Sequence, residues 1–188
     1  MSRPVPALPT AAAPRRAPLR LRALALLAVV AAGACSTPDP RGTAQDLVVV
    51  IVRHAEKSDE AGPDPGLSEA GHRRAAVLAR RLAGEELAAI YATAWRRTRQ
   101  TVAPAAAAQR LPVTLYDARE PAEALAARLR ASHRAGVVLL AGHSNTVPGM
   151  VAAFCRCAAA EMAETEFDRI STVRIGADGR PRLQIERY

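Results

Sequence analysis

Two histidines come directly after apolar segments that have the composition of buried β-strands. Arg53 and His54 follow Leu47–Val52 (LVVVIV), and His143 follows the apolar run 137–141 after one glycine. A continuous β-branched run of this kind is typical of a parallel strand covered on both faces. Because ligands of open α/β sheets bind beyond the carboxyl ends of the strands, we expect both imidazoles at one edge of a sheet.

Two arginines, Arg96 and Arg97, follow a third predicted strand, 87–92, and open a predicted helix. Helix N-termini favour anions, and guanidinium groups match the geometry of phosphate oxygens. The residues at these strand ends therefore predict a site for a phosphorylated ligand. The strand-end argument alone does not choose between the two arginines, because an isolated arginine is most often a surface ion-pair partner.

The pair His54 and His143 narrows the chemistry, because an imidazole can attack phosphorus directly and form a phosphoramidate. Nearby arginines would neutralise the phosphoryl oxygens, and the second histidine would bind the same group. The sequence contains no P-loop and no carboxylate cluster suited to Mg²⁺. We therefore expect a two-step phosphoryl transfer that needs no metal or other cofactor. His72 and His133 fall on predicted helix surfaces and receive no role.

Predicted strands and helices alternate along most of the chain. This order predicts an α/β fold: a single domain that is a three-layer α/β/α sandwich with a mainly parallel central sheet. Strands are predicted at 47–52, 87–92, 113–116, 137–141, 171–175 and 182–186, and helices begin near residues 68, 96, 121 and 147.

Two cysteines, Cys155 and Cys157, fall within the predicted helix 147–158. Side chains two residues apart on a helix point in different directions, so a disulfide between them is disfavoured. A C-x-C pair with no further cysteine or histidine nearby is also a poor zinc site. Both are predicted to be small buried hydrophobic residues.

The first 35 residues have the pattern of an export signal. Five arginines and no acidic residue precede or flank an apolar run, 23–34, which ends in Ala-Gly-Ala-Cys-Ser. The run is too short for a transmembrane helix. Small residues before Cys35 resemble a bacterial lipobox and predict lipidation there, with plain signal cleavage as the alternative. The predicted organisation is a signal segment at 1–35, a polar linker at 36–46 and a domain at 47–188.

The net charge of +8 does not indicate nucleic-acid binding. Without the five arginines of residues 1–35, the chain carries 21 basic and 18 acidic residues, a net charge of +3. The expected partners are a small phosphorylated substrate or a phosphoprotein, and the membrane if Cys35 carries a lipid. The expected location is the cell envelope, the periplasm or the medium.

Four segments together resemble the histidine phosphatase superfamily, also called phosphoglycerate mutase-like, and its compact branch of small phosphatases. They are similar to the R-H-G/A-E, L-T/S-x-x-G, S-x-x-x-R-x-x-Q-T and G-H motifs of that superfamily. In chain order they are Val52–Lys57, Leu67–Gly71, Tyr91–Thr101 and Gly142–Asn145.

The resemblance implies that His54 is a nucleophile that is transiently phosphorylated. It implies that Arg53, Arg97 and His143 hold the phosphoryl group, and it favours Arg97 over Arg96 because Arg97 stands three residues before Gln100-Thr101. The implied activity is hydrolysis of a phosphomonoester or a phosphohistidine without a metal.

The chain also departs from the superfamily pattern. Ser144 stands where the acid phosphatases of the superfamily have an aspartate, so the proton donor to the leaving group is either Asp117, Glu120 or absent. Without a donor, good leaving groups such as phosphohistidine or aryl phosphates are favoured. The alternative functions are a catalytically silent phosphate-binding lipoprotein and a phosphotransferase or mutase.

Overall fold

The computed structural model describes residues 46–188, which form a six-stranded sheet and four helices. The predicted signal segment, linker and lipidation site Cys35 lie outside the described residues. Among residues 46–188, no helix has both the length and the apolar character needed to cross a bilayer. The elements in chain order are β1 (Leu47–Arg53), α1 (Glu69–Arg81), β2 (Leu87–Thr93), α2 (Arg96–Gln109), β3 (Val113–Tyr116), α3 (Ala122–Ser132), β4 (Gly136–Gly142), α4 (Val147–Cys155), β5 (Arg169–Ile175) and β6 (Pro181–Arg187).

The strand order in the sheet is β3-β2-β4-β1-β5-β6. The first four strands of that order are mutually parallel. Strand β5 pairs with β1 in the antiparallel direction, and β6 pairs with β5 in the antiparallel direction. The central strands β1 and β4 are almost wholly buried, which explains their continuous apolar sequences. Their register pairs Arg53 with Gly142, so the residues that follow, His54 and His143, leave the sheet side by side.

Helices cover both faces of the sheet, as predicted for a three-layer sandwich. Side chains of α1 and α2, such as Leu78 and Val102, pack on one face. Side chains of α3 and α4, such as Leu125 and Met150, pack on the other. Alternate residues of β1 therefore enter different cores, with Val50 in the first and Ile51 in the second.

The prediction for the two cysteines is wrong, because α4 ends at Cys155 rather than continuing to residue 158. Arg156 adopts a left-handed conformation with φ of 55°, which turns the chain out of the helix. Cys157 therefore does not follow the helical direction on which the prediction depended, and it forms a disulfide with Cys155. Cys155 is buried, as expected, but Cys157 is exposed.

Candidate active site

The carboxyl ends of β1, β2 and β4 open onto a cleft of about 370 Å³. Its lining residues include all four side chains singled out from the sequence: Arg53, His54, Arg97 and His143. Lys57, Trp95, Ala118, Arg119, Ser144, Asn145, Thr146 and Glu164 complete the lining. Arg96 does not line the cleft, and its side chain instead pairs with Glu60 at 3.1 Å. The cleft thus has four cationic side chains against one carboxylate.

The imidazoles of His54 and His143 face each other edge to face, with ring centroids 5.4 Å apart. Nδ1 of His54 lies 2.8 Å from the carbonyl oxygen of Ala55. A carbonyl oxygen only accepts hydrogen bonds, so Nδ1 carries the proton and Nε2 has the lone pair. The backbone N–H of His54 donates to the Gly142 carbonyl at 2.9 Å, which ties the two histidine segments together.

Burial keeps both imidazoles neutral. The pKa of His54 is lowered to about 4, mainly by burial. The Ala55 hydrogen bond opposes this shift, and the neighbouring His143, Arg53 and Arg97 add to it. Burial also lowers the pKa of His143 to about 4, with the charges of Arg97 and Arg53 as lesser causes. At neutral pH His54 therefore presents an unprotonated Nε2, the form that a nucleophile requires.

Hydroxyl groups orient the two histidines. Nε2 of His143 lies 3.1 Å from Oγ1 of Thr93, which in turn lies 2.7 Å from Oγ1 of Thr98. Thr93 stands in place of the usual serine, and its hydroxyl is retained. Oγ1 of Thr101 accepts a hydrogen bond from the Ala55 N–H at 2.9 Å, and so helps to fix the residue whose carbonyl contacts His54.

The glutamine and threonine of the third motif thus act as structural links. Gln100 accepts a hydrogen bond from the Leu67 N–H at 2.7 Å, and Thr101 accepts from the Ala55 N–H. One turn of α2 therefore joins the first motif, which contains His54, to the second. The side chain of Arg97, on the preceding turn, lines the cleft and lies 3.8 Å from Asp64.

Arg53 is held mainly by the segment between α4 and β5. Its Nη1 donates to the carbonyl oxygens of Ala163, Glu164 and Glu166 at 2.8–3.1 Å, and its Nη2 donates to the Glu164 carboxylate at 3.0 Å. The guanidinium also lies 4.1 Å from the ring centroid of Phe167. Arg53 therefore folds this segment over the cleft as well as lining it.

Neither of the two proton-donor candidates lines the cleft. The Asp117 carboxylate accepts a hydrogen bond from the backbone N–H of Arg119 at 2.9 Å. Glu120 forms an ion pair with Arg128 at 2.7 Å. The carboxylate that does line the cleft is Glu164, which accepts a hydrogen bond from the Ser144 hydroxyl at 2.5 Å. Hydrogen bonding from Ser144 and the charge of Arg53 hold the pKa of Glu164 below its usual value.

Sequence patterns gave no signal for Glu164, because it lies in an irregular segment, 156–168, with no motif around it. Lys57 and Trp95 were also missed as cleft residues, although both lie inside the recognised motifs. Among residues 46–188, no three His, Cys, Asp or Glu side chains cluster in a way that could hold a metal ion.

Comparison with known proteins agrees with this arrangement of motifs. Residues 49–119 match the family model of the histidine phosphatase superfamily, branch 1. The matched stretch, which is less than half of the chain, is therefore similar to that superfamily. The match covers the first three motifs, whereas His143 lies beyond it. No curated protein matches the chain by sequence.

Several solved structures share the fold. The chain is similar to the protein histidine phosphatase SixA complexed with tungstate, with a TM-score of 0.63 and 20% identity over 74% of this chain and 96% of that chain. It is similar to a putative phosphohistidine phosphatase SixA from Nakamurella multipartitia, with a TM-score of 0.59 and 20% identity over 75% and 95%. It is also similar to a mycobacterial glucosyl-3-phosphoglycerate phosphatase, with a TM-score of 0.58 and 15% identity over 77% of this chain and 99% of that chain. At these identities the likeness establishes the fold.

Proposed function

We propose that the protein is a phosphatase that hydrolyses a phosphomonoester or a phosphohistidine through a phosphorylated His54. The observation that carries the proposal is the state of the His54 ring. The ring is neutral, and its Nδ1–H donates to the Ala55 carbonyl, which leaves the lone pair on Nε2. The ring lines the same cleft as Arg53, Arg97 and His143. The match of residues 49–119 to the superfamily model, and the fold shared with the protein histidine phosphatase SixA, support the same function.

In the first step, Nε2 of His54 attacks phosphorus, and a P–N bond forms as the bond to the leaving group breaks. The leaving group departs with the bonding electrons. Arg53, Arg97 and His143 stabilise the phosphoryl oxygens, on which charge is spread in the transition state. In the second step, water attacks phosphorus and the P–N electrons return to Nε2. Inorganic phosphate is released and His54 is regenerated.

No residue of the cleft is assigned as a proton donor in this scheme, because Asp117 and Glu120 lie elsewhere and Glu164 is held ionised. Substrates whose leaving group departs without protonation are then the best substrates. Phosphohistidine and aryl phosphates meet this condition. The proposed substrates are accordingly small phosphorylated molecules or phosphoproteins of this kind.

The test is the effect of His54→Ala on hydrolysis of an aryl phosphate by the purified protein in the presence of EDTA. We expect wild-type activity with the chelator and a loss of roughly 10³-fold or more in kcat/KM for the variant. An alkaline quench of the wild-type enzyme with radiolabelled substrate should trap a phosphoenzyme that the variant lacks. His72→Ala is the matched control, since His72 is an exposed histidine on α1. Equal activity of the His54 variant would disprove the proposal.

The same experiments separate the alternatives. Tight phosphate binding with no phosphoenzyme would indicate a silent phosphate-binding protein. Transfer of the label to added alcohols or sugar acids rather than to water would indicate a phosphotransferase or mutase.

We also propose that the protein is exported. The support is the arginine-rich and apolar pattern of residues 1–35 together with the disulfide between Cys155 and Cys157, because disulfides persist mainly in oxidising compartments. Lipidation at Cys35 would then attach the protein to the membrane.

A further inference from the structure

The only tryptophan of the chain, Trp95, lies at the cleft and is exposed. Its exposed fraction is 37%. Of residues 46–188, the other exposed large hydrophobic side chains are Leu115 and Ile185, on the edge strands β3 and β6. Trp95 is therefore the one that borders the candidate active site.

Helix formation does not require a tryptophan at this position. Trp95 is the N-cap residue of α2, where Ser, Thr, Asp and Asn are preferred, and its side chain makes no capping hydrogen bond. The missing acceptor comes from Asp64, whose carboxylate accepts the Arg96 N–H at 2.9 Å. Core packing does not require the ring either, because more than a third of it is exposed.

The indole ring is connected to the groups that would hold the phosphoryl group. The guanidinium carbon of Arg97 lies 4.5 Å from the ring centroid of Trp95, at cation–π distance. The ring of His143 meets that of Trp95 edge to face, with centroids 6.5 Å apart. A phosphoryl group held by Arg97 and His143 would therefore have its leaving group beside the indole, within the range at which aromatic rings attract each other.

We propose that Trp95 is a specificity-determining residue that packs against the leaving group and selects substrates in which the phosphoryl group is attached to a planar aromatic ring. The inference rests on the proposed function. An aromatic ring gains an offset or edge-to-face contact with indole that an alkyl group lacks. The same ring also makes a good leaving group, which suits a cleft without an assigned proton donor.

The test compares two non-hydrolysable probes, phenylphosphonate and methylphosphonate, as competitive inhibitors of the full chain. We expect the wild-type protein to bind phenylphosphonate more tightly, and Trp95→Ala to reduce that preference roughly 3- to 10-fold. Trp95→Phe should retain most of the preference, because it keeps a ring. Methylphosphonate reports on the phosphoryl site itself, so its inhibition constant should change little in either variant.

Intrinsic fluorescence provides a second readout that does not depend on turnover. Since Trp95 is the single tryptophan, phenylphosphonate should change the emission of the wild-type protein more than methylphosphonate does. Ile185→Ala is the control for loss of an exposed apolar side chain that does not line the cleft. It should leave the inhibition constants of both phosphonates unchanged.

Three outcomes would overturn the inference. The first is an unchanged preference for phenylphosphonate in Trp95→Ala. The second is a loss of preference in Trp95→Phe as large as that in Trp95→Ala. The third is an equal weakening of the binding of both probes, which would mean that Trp95 only positions Arg97. Failure of the proposed function would look different. The wild-type protein would then hydrolyse no phosphorylated compound, while the fluorescence titration would still measure whether the ring is recognised.

Discussion

At the scale of single residues, the chemistry depends on one hydrogen bond and on burial. The Ala55 carbonyl fixes the proton of His54 on Nδ1, and burial prevents a second proton from blocking Nε2. Exposed histidines titrate near 6.5, so an ordinary imidazole would be partly protonated at neutral pH. The buried His54 stays unprotonated on Nε2, as the proposed nucleophilic role requires, through a wider pH range.

The first prediction concerns the pH dependence of the two cleft histidines. We expect His54 and His143 to titrate near pH 4 in the folded protein, as measured by NMR of the imidazole protons and assigned with His54→Ala and His143→Ala. In the unfolded chain both bind protons near pH 6.5, so the unfolded state binds more protons than the folded state between these values. The free energy of unfolding should therefore fall as the pH drops from about 6.5 to about 4. Titration of either ring above pH 6 would contradict the prediction.

A second prediction concerns Glu164, the one carboxylate of the cleft. It accepts hydrogen bonds from Arg53 and Ser144, and its charge opposes a phosphate dianion in the same space. Glu164→Gln should therefore lower the inhibition constant of inorganic phosphate roughly 3- to 10-fold, with the larger effect at low salt.

Glu161→Gln is the matched control for Glu164→Gln. It removes the same charge from the same segment, but Glu161 does not line the cleft. An unchanged or weaker affinity for phosphate in Glu164→Gln would show that the carboxylate does not compete with the anion.

At the scale of elements, residues of the motifs make the contacts through which helices hold the loop that contains His54. Ser68 caps α1 by accepting a hydrogen bond from the Gly71 N–H at 3.1 Å, at the residue near which a helix start was predicted. The tertiary structure explains the glycine of the same motif, because a Cβ at position 71 would lie 2.2 Å from the Glu56 carbonyl oxygen. Helix α1 thus packs directly on the backbone two residues after His54.

The third prediction follows from this close approach. Gly71→Ala should lower the free energy of unfolding by about 1–3 kcal/mol, because the new methyl group meets backbone rather than a flexible side chain. It should also lower kcat/KM by displacing the loop that holds His54. Denaturant unfolding and steady-state kinetics measure the two effects. Gly84→Ala is the control, since a Cβ there meets no atom within 4 Å, and it should behave like the wild type.

At the scale of the whole molecule, the distribution of charge and the presence of a disulfide both favour the proposed export from the cytoplasm. The basic excess is concentrated in residues 1–35, and the described domain carries a disulfide where α4 ends. Both features suit a protein that leaves the cytoplasm. The proposed phosphatase would then meet its substrates outside the cytoplasm.

The fourth prediction is that the full-length protein, expressed in a bacterium with a C-terminal tag, fractionates with the membrane and incorporates a labelled fatty acid. Cys35→Ala should abolish the label. Cys155→Ala should leave it unchanged, because that cysteine is in the folded domain. Export of an unlabelled, soluble wild-type protein would favour plain signal cleavage, and retention in the cytoplasm would disprove export.

The sequence by itself determined the α/β class, the order of elements and the four strand-end residues of the cleft. These properties are local: buried strands have continuous apolar runs, Ser68 caps its helix, and parallel strands end at one edge. The boundaries of β3 were predicted to the residue, and α2 begins where its start was expected, near residue 96.

Only the tertiary structure decided the features that depend on where distant segments meet. Glu164 enters the cleft because Arg53 holds an irregular segment more than a hundred residues away, and no periodicity records such a contact. The disulfide depends on the left-handed turn at Arg156, a conformation that a non-glycine residue rarely adopts. A tryptophan can stand at the N-cap of α2 because Asp64, from another loop, accepts the hydrogen bond of the Arg96 N–H in its place. In each case the deciding interaction joins residues that local sequence patterns treat as independent.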